Sequence, residues 1–107
     1  AAGGNYDKTD SSIVSLALTK DGGKTWNVIK HTKPFFGSCV RFRNTNEVFI
    51  TGHDGTFRYN IKNQRTEEIK DTSGESLKFM TLRFSPSGKT LWMAGSNGKI
   101  VLVSGFK

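Results

Sequence analysis

The sequence predicts an all-β fold on three observations. Short runs of β-branched and aromatic residues alternate with polar ones, Gly, Asn, Asp or Ser bounds nearly every run, and no helical period persists over three turns. Glycine is abundant and proline scarce, 12 against 2 in 107 residues, as many tight turns require. The first run, 13–18, alternates with Ile13 opposite in phase to Leu16 and Leu18. A glycine turn separates it from a second run at 26–29, which begins at Trp26. Runs at 39–42 and 47–50 flank the polar turn 43–46, and a run at 56–59 follows the glycine turn 52–55. The segment 65–69 alternates more weakly. Runs at 79–84 and 90–93 flank Ser85-Pro86-Ser87-Gly88, where Pro86 presets φ and Gly88 suits a turn exit. A last run occupies 100–103.

A repeat overlies these strands. Ala2-Gly3-Gly4-Asn5, Thr51-Gly52-His53-Asp54-Gly55 and Ala94-Gly95-Ser96-Asn97-Gly98 each place a small residue and glycine before polar turn residues. Gly4 and Gly52 lie 48 positions apart, and Gly52 and Gly95 lie 43 apart. The unit reads strand, turn, strand, glycine turn, strand, turn, strand. Four strands recurring every 40–50 residues or so describe a β-propeller blade. The chain therefore predicts a partial β-propeller of about two and a half four-stranded blades. It forms a single unit over 1–107, divided into a partial blade 1–33, a complete blade 34–74 and a partial blade 75–107. Two and a half blades cannot close a ring, so the remaining blades of the same protein, another chain or other copies are expected partners.

One motif has a mechanism. Thr19-Lys20-Asp21-Gly22-Gly23-Lys24-Thr25-Trp26 matches the pattern Ser/Thr, any, Asp, any, Gly, any, Thr, Trp. Asp21 is placed to accept hydrogen bonds from turn N–H groups, and Gly22 or Gly23 to supply a positive φ. Thr25 starts the outgoing strand, and Trp26 is expected to pack its ring on the hairpin and bury it in the blade. The same hairpin position in the second blade, 59–67, lacks the Asp and Trp, and Asn63 is expected to take its left-handed position.

Thr19, Asp21, Gly23, Thr25 and Trp26 form a motif that resembles the Asp-box, or BNR repeat. With Gly3–Tyr6, Ser38-Cys39-Val40, Gly52/Gly55 and Ala94–Ile100 in this order, nearly the whole chain resembles the C-terminal part of bacterial photosystem II assembly factor-like and sialidase-like propellers. The resemblance implies a C-terminal piece of a longer, exported bacterial protein, periplasmic, cell-surface or secreted. It implies a non-catalytic binding or assembly scaffold, or alternatively part of a glycoside hydrolase whose catalytic residues lie partly outside the chain. Sialidase-like enzymes use an arginine cluster, a tyrosine paired with a carboxylate, and an Arg-Ile/Leu-Pro motif. The prolines here follow Lys33 and Ser85, so that motif is missing, and neither Tyr6 nor Tyr59 has an evident Glu partner. No catalytic residue is assigned. Asp7, Asp10 and Asp54 are read as turn acids.

Net charge is +7, from 16 Lys+Arg against 9 Asp+Glu. The cations are dispersed with no run of four, which argues against nucleic acid. Arg41 and Arg83 fall at like offsets on the first strands of successive blades, where they form a candidate positive patch for an anionic protein segment or an acidic glycan. Arg43 stands nearby in sequence, and His53 in the glycine turn is a second candidate contact. Cys39 reads as a buried, inert thiol. One Cys excludes an internal disulfide and a multi-cysteine zinc site, and two histidines, His31 and His53, leave little for metal chemistry. No cofactor is expected. No apolar run is long enough to span a membrane, and no basic-then-apolar signal segment opens the chain.

Overall fold

The computed structural model describes residues 14–30 and 37–105, and these form nine strands in three antiparallel sheets with no α-helix. The first sheet pairs β1 (Val14–Leu18) with β2 (Asn27–Lys30). The second is the four-stranded meander β3 (Gly37–Phe42), β4 (Glu47–Gly52), β5 (Gly55–Asn60) and β6 (Arg65–Ile69). The third is the meander β7 (Thr81–Phe84), β8 (Thr90–Ala94) and β9 (Ile100–Ser104). The glycine-turn strand expected near 1–5, together with Tyr6, Asp7, Asp10 and His31, lies outside the described residues.

Alternation assigns each strand two faces, and in the second sheet both are covered. One face carries Val40, Val48, Ile50, Phe57 and Tyr59, which form a core with Leu16 of β1 and Ile29 of β2. The opposite face carries Phe49, Cys39 and Ile69, packed against Leu82, Phe84, Leu91, Met93, Val101 and Val103 of the third sheet. Phe49 is fully buried and meets Phe84 edge to face, with ring centroids 4.8 Å apart and planes at 83°. β3 and β7, the first strands of their sheets, pack alongside each other. The buried middle sheet explains the run of apolar residues in β4, where alternation alone would have left one face wet.

The crossover from β6 back to β7 is held by two threonines. Thr51 and Thr56 are both fully buried, and their hydroxyls share a hydrogen bond of 2.8 Å. Thr56 Oγ1 donates to the Leu77 carbonyl at 2.6 Å, and Thr51 Oγ1 lies 3.4 Å from the Phe79 carbonyl. Leu77 and Phe79 are thereby seated in the second core. This is why β7 begins at Thr81 and not at 79, where the alternation suggested: the preceding residues are taken up in the crossover. A second tie joins the two meanders at their far end. Arg43 donates from Nε to the Gly88 carbonyl at 2.7 Å and from Nη1 to Glu47 Oε2 at 3.2 Å. Arg58 Nη2 reaches the same carboxylate oxygen at 2.8 Å, and its guanidinium carbon lies 5.8 Å from the Phe49 ring centre.

The turns follow local chemistry. Gly88 N donates to the Ser85 carbonyl at 2.9 Å and Gly88 takes φ +73°, so the Pro86 turn ends on a left-handed glycine as the sequence suggests. In the β5–β6 turn the left-handed residue is Gln64, φ +59°, and not Asn63. The Asn63 side chain is used differently: its Oδ1 accepts the Arg65 N–H at 3.1 Å, which places the reversal one residue later. β6 itself spans Arg65–Ile69, the weakest run in the sequence; it is exposed over Arg65–Glu67 and is held by the β5 ladder.

Truncating Thr56 to Val should cost about 1–3 kcal/mol, because the Leu77 carbonyl then stays buried without its donor. Phe49→Ala should cost about 3–5 kcal/mol as a large buried side chain leaves a cavity. Urea unfolding followed by circular dichroism measures both, with a lower midpoint and an unchanged slope as the expected pattern.

Candidate functional site

The Asp21 turn is closed by hydrogen bonds within eight residues. Asp21 Oδ1 accepts the Thr25 N–H at 2.9 Å and the Thr19 hydroxyl at 2.8 Å, while Oδ2 accepts the Thr25 hydroxyl at 2.5 Å. Thr19 Oγ1 in turn accepts the Gly23 N–H at 3.0 Å. Gly22 and Gly23 take φ of +75° and +97°, a pair of left-handed positions that only glycine occupies without strain. The hydroxyl of Thr25 is the largest of the influences that hold the Asp21 carboxyl at about 2, followed by the Thr25 N–H and the Thr19 hydroxyl. Both oxygens of this carboxylate accept bonds from its own turn, which fits a structural acid.

Trp26 corrects one expectation. Its indole N–H donates to the Gly23 carbonyl at 3.1 Å and its ring covers Gly23, so it does pack on the hairpin. The ring is nonetheless 52% exposed and is not buried in the blade. The strand starts at Asn27, after both Thr25 and Trp26, and the indole is among the groups that line a groove between the first and second sheets. That groove, about 350 Å³, is lined by Leu16, Val40, Phe42 and Tyr59, with Arg41 among its lining residues.

The structure places the candidate binding residues as follows. Arg41 on β3 sits across from Phe49, and Arg83 on β7 sits across from Trp92. Both arginines are exposed, and both occupy the same register position on the first strand of a sheet. Arg41 Nη1 donates to the Val40 carbonyl at 2.9 Å. His53 is exposed in the two-residue turn between β4 and β5. It does not join the arginines: Arg41 pairs with Phe49, three residues back along β4 from Gly52, or about 10 Å of strand. Cys39 is half-buried, with Sγ 3.7 Å from both the Leu82 carbonyl and the Thr81 hydroxyl, so its neighbours are strand atoms and not a base. Tyr59 is 7% exposed inside the first core. Among the described residues no group of three or more His, Cys, Asp or Glu is placed to hold a metal ion.

Two polar constellations escaped sequence reasoning. Asp71 Oδ1 accepts the Ser73 hydroxyl at 2.6 Å and the backbone N–H groups of Ser73 and Glu75, both at 2.9 Å. Its carboxyl is held below the usual range, first by the Ser73 hydroxyl and then by the Glu75 N–H. The signal was present as Asp71-Thr72-Ser73-Gly74, an Asp followed by a hydroxyl and a glycine, with the same reach to the fourth residue onward that Asp21 shows. Glu47, with its side chain 13% exposed, is the other. Burial raises its pKa, but hydrogen bonds from Asn44 and Arg43 and the charges of Arg58 and Arg43 outweigh this and lower it. Its partners come from the β3–β4 turn, Arg43 and Asn44, and from β5, Arg58, a grouping that only the fold reveals.

No protein-family model, curated protein or solved structure matches the chain. No helix among the described residues is long and apolar enough to cross a membrane.

Asp21→Ala should speed amide exchange at Gly23 and Thr25 and leave the two cores as protected as before, since all its bonds are local. The folded carboxyl titrates below its ordinary 3.8, so its contribution is complete above that value and is lost as pH falls through about 2. The Gly23 and Thr25 amide resonances, followed by NMR through that acid range, report the loss. Trp26→Ala should cost clearly less than the about 3–5 kcal/mol of a buried tryptophan, as read by urea unfolding.

Proposed function

We propose that the chain is part of an Asp-box β-propeller that serves as a non-catalytic binding or assembly scaffold for an anionic partner. The observation that carries this reading is the register match of Arg41 and Arg83 on β3 and β7, strands that pack alongside each other. In a propeller the first strand of each blade lines the central channel, so like positions on successive first strands form a row of guanidinium groups. Two meanders packed face to face, a two-stranded sheet on the other side of the first of them and the closed Asp21 turn support the blade reading.

A scaffold is favoured over a glycoside hydrolase by the environment of the candidate groups. Tyr59 packs among Leu16, Val48, Ile50 and Phe57, where it offers no exposed nucleophile. Asp21 and Asp71 are engaged by their own turns. The dispersed cations, with Arg43 and Arg58 drawn to Glu47, leave the arginine row as a local patch and not a broad basic face.

The test uses hexaglutamate peptide and N-acetylneuraminic acid as probes, with binding read by NMR shifts. Arg41→Ala with Arg83→Ala should weaken binding of whichever probe binds by roughly tenfold or more. Aryl glycosides should be hydrolysed no faster than in buffer. Binding unchanged in the double variant would remove the arginine row from the site, and turnover of a glycoside would replace the scaffold by an enzyme.

A further inference from the structure

Tyr59 is 7% exposed and packs in the first core, yet its hydroxyl has no hydrogen-bond partner among the described residues. A buried phenol O–H ordinarily finds a partner, and one that does not calls for a reason. The buried hydroxyls of Thr51 and Thr56, by contrast, are both satisfied. Tyr59 lines two hollows between the first and second sheets. One is the groove that Trp26 helps to line. The other, about 290 Å³, lies between β2, the end of β5 and the β5–β6 turn. Its size is near the lower end of the roughly 300–1,000 Å³ of small-molecule pockets.

This second hollow is graded from apolar depth to polar mouth. Tyr59 is its buried floor, Ile29 and Ile61 are half-buried walls, and the exposed Lys20, Asn27 and Gln64 stand at its rim. A few polar groups converging around an apolar middle characterise ligand pockets. No acidic side chain lines it. Gln64 bears on the same point independently. It holds φ +59° at a turn position where Gly or Asn meets least strain, although Asn63 stands next to it. What Gln adds there is a longer amide side chain beside the hollow. Strands that precede β1 in a meander pair at its free edge, away from β2, so a longer chain keeps this lining.

We propose that this hollow binds a small organic acid with an apolar, hydroxyl-bearing body, such as a hydroxyaryl carboxylate. The carboxylate takes the rim, with the Lys20 ammonium and the side-chain amides of Asn27 and Gln64 as donors. The apolar body lies between Ile29 and Ile61, and its hydroxyl shares a hydrogen bond with Tyr59 Oη. A ligand without the hydroxyl leaves Tyr59 unmet, and an anion without the apolar body leaves the isoleucine walls uncovered. The net charge of +7 favours an anion in encounter. Neither Arg41 nor Arg83 lines this hollow, so the site is distinct from the arginine row and does not depend on it.

4-Hydroxyphenylacetate and phenylacetate, which differ by one hydroxyl, serve as probes. Each is titrated into the full-length protein, wild type and Tyr59→Phe, and followed by methyl and side-chain amide NMR. The substitution removes only a hydroxyl that no described residue engages, so the urea midpoint should not fall. The hydroxy acid should shift Ile29, Ile61, Asn27 and Gln64 saturably and bind the wild type about tenfold more tightly than Tyr59→Phe. Phenylacetate should bind the two proteins alike, and Lys20→Met should weaken both acids together. A lowered midpoint in Tyr59→Phe would give the hydroxyl a partner within the fold and overturn the argument. No saturable shift from either acid at about 10 mM, or shifts at Val40 and Phe42 in place of Ile61 and Gln64, would overturn the site. Equal weakening of both acids in Tyr59→Phe, or none, would overturn the contact with Tyr59.

Discussion

The seating of the third sheet on the second depends on the hydroxyl pair of Thr51 and Thr56. These side chains sit beside the turn of the β4–β5 hairpin, fully buried, in the second core. A buried hydroxyl is costly without a partner, and the partners available are each other and the backbone carbonyls of Leu77 and Phe79. Satisfying the hydroxyls therefore fixes the path of the crossover. Once Leu77 and Phe79 are seated, the chain has one direction in which to begin β7, and β7 lands beside β3. The position of the Arg83 strand relative to the Arg41 strand follows from that step.

At the opposite end of the second sheet, the link from Arg43 to the Gly88 carbonyl fixes the same two sheets again. Gly88 is suited to this site in two ways. Its φ of +73° closes the Pro86 turn, and a Cβ there would approach the Arg43 carbonyl oxygen to 3.4 Å. Two polar ties, one at each end of an apolar interface, set the register of a contact that hydrophobic burial alone would leave free to slide.

Much of the architecture was legible because β-structure writes a period of two, and turns favour particular residues. The run at 65–69 was weak in hydrophobicity, yet it forms β6, because ladder bonds from β5 hold an edge strand that buries little. Asn63 was misplaced by one residue, since a side chain that accepts from Arg65 competes with the left-handed role. Burial of Trp26 was overestimated for a different reason. The motif dictates its bond to Gly23, but exposure depends on what lies beyond the hairpin, which local spacing does not encode. Of the candidate site, the like offsets of Arg41 and Arg83 were visible in the sequence, whereas the remoteness of His53 from Arg41 emerges only from the strand register.

The meander order of the second and third sheets also has a temporal meaning. Each strand pairs with its immediate successor, so a sheet can form as soon as its own few dozen residues are available. The cover for Phe49, however, arrives only with Leu82, Leu91 and Met93. At synthesis rates of about 5–20 residues per second, the β3–β6 sheet waits a few seconds on the ribosome with that face uncovered. During this interval the nascent chain leaves Phe49 open to solvent, until the β7–β9 sheet closes over it.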